Sequence, residues 1–187
     1  MSLYDYDRQI LELINHDRIR SLDNFFRFIT DSAAFIAIAI AIIVIIYGLV
    51  KKTSFLKYRK YQVAFAFTIN AIIINILKYT VNRPRPYEVD KYIEKLSSGG
   101  SPSFPSGHTG DVMIVAISMS LLFFKQKWML LIIWLWAIAV AYSRMVLGVH
   151  YPSDVLGSVI ISMIVAMVTN NIFNKLRPKN SELARRN

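Results

Sequence analysis

The sequence predicts an all-α fold, a polytopic membrane helix bundle of about five spans plus an N-terminal interfacial helix. Three observations carry this. Hydrophobic residues make up 55% of the 187-residue chain, above the range of about 45–50% usual for globular proteins. They are gathered into five blocks free of charge. A net charge of +10 coexists with a mean hydropathy of +0.40, which does not suit a polar domain that binds nucleic acid. A soluble bundle built from five such runs would have too little polar helix surface. The absence of cysteine excludes disulfides, thiolate zinc sites and cysteine nucleophiles.

The elements follow in chain order. Leu3, Tyr6, Ile10, Leu13 and Ile14 recur at helical spacing among Asp5, Asp7, Arg8 and Glu12. This is the pattern of an amphipathic helix lying on a membrane surface. It lacks the cationic start, clean apolar stretch and small-residue cleavage site of a signal peptide. Ser21 to Asn24 offers capping residues before the first span. Uncharged runs then cover Ser32 to Val50, Tyr61 to Leu77, Val112 to Phe124, Trp128 to Ser143 and Val155 to Asn174. A spanning helix needs about 17–25 mostly apolar residues. The first and last runs meet this alone, and the second meets it at the short end. The third and fourth meet it only with their polar ends at the interface or facing protein. The expected division is an interfacial segment 1–24, a membrane-embedded domain 25–176 and a basic cytoplasmic tail 177–187.

Charge orients the bundle. Lys51, Lys52, Lys57, Arg59 and Lys60, then Lys125 and Lys127, then Lys175, Arg177, Lys179, Arg185 and Arg186 flank one side, against the single acid Glu182. The positive-inside rule puts these in the cytoplasm and the N-terminal helix outside. A sixth span within residues 1–24 would change only the N-terminal side.

Polar residues at the outer span ends carry the chemistry. Lys78 closes the second span, and Arg83-Pro84-Arg85-Pro86 follows it. Pro105-Ser106-Gly107-His108 opens the third, Ser143-Arg144 closes the fourth, and His150 and Asp154 stand at the start of the fifth. Charge at the edge of a span marks a functional site by default. Lys78, Arg85 and Arg144 match a bound phosphate, with arginine forks giving bidentate contact. Ser106-Gly107 at a helix start adds backbone N–H donors. Asp154, four residues after His150, can fix the imidazole tautomer and leave the other nitrogen to attack phosphorus. His108 can protonate the leaving oxygen and then activate water. No carboxylate cluster points to a divalent metal, so the cations must stabilise the transition state.

Lys78-x6-Arg85-Pro86, Pro105-Ser106-Gly107-His108 and Ser143-Arg144-x5-His150-x3-Asp154 resemble the three signature motifs of the type-2 phosphatidic acid phosphatase family. This is the lipid phosphate phosphatase superfamily, which includes glucose 6-phosphatases and vanadium haloperoxidases. The resemblance implies a metal-independent hydrolase of phosphomonoesters or diphosphates, without cofactor, working through a phosphohistidine. By motif position His150 is the nucleophile, Asp154 its partner and His108 the general acid/base. Lys78, Arg85, Ser106, Gly107 and Arg144 bind phosphate.

The expected partners are a lipid phosphate substrate and membrane lipids, not nucleic acid. Undecaprenyl diphosphate fits best if the source is bacterial. Phosphatidylglycerophosphate, phosphatidic acid and lipid A phosphates fit the same chemistry. The expected location is the cytoplasmic membrane, with the site facing outward. A non-catalytic anion or lipid-binding membrane protein is the reading of a different class; it would use the cations without needing both histidines and Asp154.

Outside the motifs, Arg83 reads as an ordinary loop charge. Asp111 reads equally as a partner of His108 or a helix cap. Tyr87 and Phe104 read as loop packing or a lipid entry. Residues 87–104 read as a flexible outer loop that could gate access.

Overall fold

The computed structural model describes residues 3–51 and 59–176. The expected basic tail 177–187 lies outside the described residues, as do Lys52 and Lys57. The helices are α1 (Leu3–His16), α2 (Asp23–Asp31), α3 (Ala33–Lys51), α4 (Gln62–Val81), the short α5 (Pro86–Val89), α6 (Gly107–Leu122), α7 (Lys127–Val146) and α8 (Pro152–Lys175). A 3-10 turn, Arg20–Leu22, links α1 to α2.

Four of these are long and apolar enough to cross a membrane: α3, α4 within the segment Gln62–Val89, α7 and α8. The fifth expected span, α6, has 16 residues and falls just short. It needs less length because it is the central helix. It packs on α8, α4, α7 and α3, and most of its surface meets protein rather than lipid. The chain is a multi-pass helical membrane protein.

The core forms where small side chains let helices approach. Ala33, Ala37 and Ala41 make a stripe at four-residue spacing on α3. It faces Val112, Val115, Ala116 and Met119 of α6, with Ala66 of α4 and Ala137 and Ala141 of α7 in the same cluster. The outward positions of the same helices, such as Phe35, Ile43, Ile76, Ile132, Leu135 and Ile164, are exposed, as lipid-facing residues must be. Buried polar side chains are bonded between helices. Asn70 Nδ2 donates to the Gly110 carbonyl at 3.1 Å, and Ser162 Oγ donates to the same oxygen at 3.2 Å.

The N-terminal region differs in part from expectation. In α1 the apolar Tyr6, Ile10 and Leu13 do point away from the protein. The inward face, however, is polar: Asp7 and Asn15 are buried beside Leu11. Asn15 Nδ2 donates to the Val146 carbonyl at 2.8 Å, and its Oδ1 accepts from Glu94 N at 2.8 Å. The helix is thus bonded to the bundle as well as amphipathic. Ser21 to Asn24 does not cap the first span. A separate helix, α2, starts at Asp23 without a side-chain cap, and α3 begins only after Ser32.

Residues 87–104 also depart from the flexible loop expected. They are tied down by Leu96 N to the Leu147 carbonyl at 3.0 Å and by Ser103 N to the Arg83 carbonyl at 2.7 Å. Gly148 sits at φ +69°, and a Cβ there would meet the Glu94 carbonyl at 2.3 Å. Only glycine permits that close approach of the α7–α8 turn to the loop.

Candidate active site

Chain reversal at each helix brings the ends of α4 and α7 and the starts of α6 and α8 to one end of the bundle. Between them lies a cavity of about 330 Å³, lined by Lys78, Arg85, Gly107, His108, Asp111, Arg144 and His150, with residues 98–101 as its roof. Six of the eight sequence-predicted site residues therefore meet around one space. The other two, Ser106 and Asp154, are fully buried behind the wall. Ser106 N donates to the Asp154 carbonyl at 3.2 Å, and Ser106 Oγ accepts from Thr109 Oγ1 at 2.9 Å. Its backbone N–H is thus already used. The free N–H groups at this helix start are those of the next residues, because the first intrahelical bond runs from Gly110 N to the Ser106 carbonyl.

The three cations are held by neutral oxygens. Lys78 Nζ donates to the Pro102 carbonyl at 2.9 Å. Arg85 donates from Nε to the Ser101 carbonyl and from Nη1 to the Val149 carbonyl, each at 2.8 Å. Arg144 Nη1 donates to Thr30 Oγ1 at 2.7 Å. All three are buried, at 7%, 4% and 1% exposure. Yet among the described residues none forms an ion pair with a carboxylate. Burying charge without a direct ion pair is costly, and an anion entering the cavity would offset that cost.

His150 precedes α8, and Asp154 is the third residue of that helix. Pro152 fits the first helical position because its missing N–H is not needed there. His150 Nδ1 stands 3.6 Å from Asp154 Oδ2, and its Nε2 faces Arg85 Nη1 at 3.4 Å. A guanidinium N–H directed at Nε2 assigns the lone pair to Nε2 and the proton to Nδ1. Burial, and then the Arg144 and Arg85 charges, push the His150 imidazole down to about 3 against the opposing pull of Asp154. The ring is therefore neutral near pH 7, with its Nε2 lone pair turned toward Arg85. Asp154 also accepts from Tyr151 N at 2.9 Å and from Ser103 Oγ.

Several residues take places that local sequence did not reveal. Arg83 is no ordinary loop charge: its guanidinium bridges Asp154 and Asp7. Thr30 and Ser103 hold Arg144 and Asp154. Their only signal was a polar residue near an apolar run. Asp111 lines the cavity one turn after His108. Tyr87 Oη donates to the Gly99 carbonyl at 2.6 Å, and Phe104 packs over Gly157. Ser143 donates within its own helix, to the Val140 carbonyl at 2.6 Å.

Residues 59–178 match the PAP2 superfamily. The chain is 32% identical to an undecaprenyl-diphosphatase of Bacillus subtilis, BcrC, over 94% of its own length and 86% of the relative's. It is 30% identical to a lipid A 4'-phosphatase of Bacteroides thetaiotaomicron over 85% of its length and 73% of that protein's. Among solved structures it is similar to Aquifex aeolicus LpxE, with a TM-score of 0.73 and 25% identity over 86% of this chain and 92% of that one. A PAP2-type phosphatidylglycerolphosphate phosphatase of Bacillus subtilis shares the fold, with a TM-score of 0.78 at 22% identity over 95% of this chain and 89% of that one.

Proposed function

This chain belongs to the PAP2 superfamily and is a membrane phosphatase, and on that premise we propose that it hydrolyses undecaprenyl diphosphate on the outer face of the cytoplasmic membrane, through a phosphohistidine at His150. One observation carries the reading. Three buried cations that form no ion pair with a carboxylate among the described residues surround a cavity that also receives both histidines. A bare anion site would need the cations but not a neutral imidazole directed at the same space.

The steps follow from the geometry. The terminal phosphate enters among Lys78, Arg85 and Arg144, and the N–H groups opening α6 meet its oxygens. His150 Nε2 attacks phosphorus, and the N–P bond forms as the P–O bond to the leaving group breaks. His108 gives a proton to that oxygen, which departs as undecaprenyl monophosphate. The imidazole gains positive charge, which the Asp154 carboxylate stabilises through the Nδ1 proton. Water then attacks phosphorus and gives its proton to His108. The N–P bond breaks, inorganic phosphate leaves, and both histidines return to their starting states. The cations spread the transition-state charge throughout. The reaction uses no metal ion.

The relative at 32% identity supports the diphosphate substrate, and the basic flanks on the opposite side support the outward site. The test is phosphate release in detergent with excess chelator. Undecaprenyl diphosphate, phosphatidylglycerophosphate, phosphatidic acid and phosphorylated lipid A are compared by kcat/KM, with His150→Ala in parallel. The expected result is highest kcat/KM on the diphosphate, full activity with chelator, inhibition by vanadate and no turnover by His150→Ala. A higher kcat/KM on another lipid reassigns the substrate. Activity in His150→Ala rejects the mechanism, and loss on chelation rejects metal independence.

A further inference from the structure

We propose that Arg83 and Asp7 are positioning residues for the His150–Asp154 pair, so that the N-terminal helix α1 is part of the machinery that sets the turnover rate. The inference rests on the phosphohistidine reading above.

Asp154 has one oxygen for each neighbour group. Oδ2 faces His150 Nδ1 and accepts from Tyr151 N and Ser103 Oγ. Oδ1 accepts from Arg83 Nη1 at 2.7 Å. Arg83 therefore fixes the rotation of the carboxylate: with Oδ1 held, Oδ2 is the oxygen turned to the imidazole. The same Nη1 donates to Ser153 Oγ at 2.7 Å, and Nη2 donates to Asp7 Oδ2 at 2.8 Å. Asp7 in turn accepts from Ser153 N at 2.9 Å and from Ser153 Oγ. The guanidinium carbon stands 4.0 Å from the Tyr151 ring centroid, a cation–π contact that holds the fork from its face. Asp7 is 5% exposed and Asp154 is 0% exposed, so these are buried, directional bonds and not loose surface pairs.

The chemistry explains why such a clamp is needed. His150 Nδ1 and Asp154 are 3.6 Å apart, longer than a hydrogen bond. The contact must shorten as positive charge develops on the ring. A carboxylate held by Arg83 on one oxygen moves as a unit with the other oxygen aimed. Asp7 supplies a second negative charge to Arg83, which is partly buried beside Asp154. Neither Arg83 nor Asp7 lines the cavity, so neither touches the phosphate.

The readout is the split between kcat and anion affinity. Arg83→Ala is expected to lower kcat about 10- to 100-fold, the rate factor that corresponds to losing one charge-assisted hydrogen bond in the transition state. Its inhibition constant for inorganic phosphate, which forms no bond to His150, stays close to wild type. Arg83→Lys, which keeps a charge for Asp154 but loses the fork, recovers part of kcat. Asp7→Asn lowers kcat by less, and its effect shrinks when Arg83 is already alanine, because both act on one carboxylate. Thermal unfolding in detergent identifies any variant that fails to fold; the lysine and Asp7→Asn variants then carry the test. Unchanged kcat in Arg83→Ala overturns the proposal, as does a loss confined to inorganic phosphate affinity. Activity persisting in His150→Ala would instead overturn the phosphohistidine reading and this inference with it, so the two failures are distinct.

Discussion

Gly99→Ala adds one methyl group to the roof of the cavity. A Cβ at Gly99 would lie 2.7 Å from Arg85 Nη1 and 2.8 Å from its Cζ. Ordinary contact between such atoms begins near about 3.5 Å, so the guanidinium or the loop must move by about 0.8 Å. Neither moves freely. Arg85 is bonded to the Ser101 and Val149 carbonyls at 2.8 Å each. The loop is bonded through the Gly99 carbonyl to Tyr87 Oη at 2.6 Å. Moving the guanidinium that far stretches its bonds past hydrogen-bond length. One bond to a charged group is worth about 1.5–3 kcal/mol, which is roughly 10- to 150-fold in kcat/KM. The assay is phosphate release from detergent micelles, with vanadate inhibition as a measure of anion affinity. Both should fall while the unfolding temperature stays close to wild type, because the methyl lies in a loop. Gly100→Ala is the matched comparison, since a Cβ there meets nothing within 4 Å, and it should cost far less. If Gly99→Ala keeps wild-type kcat/KM and vanadate affinity, Arg85 is not the positioned anion ligand described above.

Two further outcomes follow from the same geometry. Thr30→Val removes the acceptor for Arg144 Nη1, now at 2.7 Å, with little change in shape. Vanadate affinity should fall by an amount on the order of the 1.5–3 kcal/mol of a charge-assisted bond, and equal affinity in both proteins would show that Thr30 does not hold Arg144. His150 governs acid stability through linkage. Its folded-state value lies at about 3, against 6.5 for the unfolded chain, with burial the main cause. Below 6.5 the unfolded state takes up a proton that the folded state refuses. This contribution to stability is thus complete above pH 6.5 and declines as pH falls toward about 3. Thermal unfolding should therefore drop more steeply with acid in the wild type than in His150→Gln, and parallel curves would contradict a buried neutral imidazole.

What could be read in the sequence was whatever a local pattern encodes. The apolar runs mark α3, α4, α7 and α8 because lipid on one side and small-residue packing on the other leave no room for charge. The cavity residues stand out because they are polar at the ends of those runs, where any charge needs a reason. The positions that escaped notice depend on contacts between distant segments. Arg83 and Asp7 are 76 residues apart, and Arg144 and Thr30 are 114 apart. No periodicity links such pairs. Residues 87–104 read as flexible because their composition is that of a loop, yet Asn15, Leu147 and Arg83 hold the segment by its backbone. The order of that loop comes from its partners, not from its own residues. Ser106 lies behind the cavity wall with its N–H bonded to the Asp154 carbonyl, and a helix start in a sequence does not reveal which of its N–H groups a neighbouring helix takes.

The short central helix explains why the site lies where it does. At 1.5 Å per residue α6 is about 24 Å long, and α8 is about 36 Å. The shortfall lies at the cavity end. The Ser106 carbonyl, one residue before α6, accepts from Ser158 Oγ at 2.8 Å, and Ser158 is already about 9 Å along α8 from Pro152. Lys78 and Arg144 reach the same level from three and two residues inside the ends of α4 and α7. A central helix that stops early between longer neighbours leaves a recess walled by those neighbours. The start of α6 and the three cations line that recess. Their electrostatic attraction for phosphate is stronger there than at a flush surface. Without an anion their burial is correspondingly costly. The depth of the cavity therefore depends on where α6 begins as well as on the residues that line it.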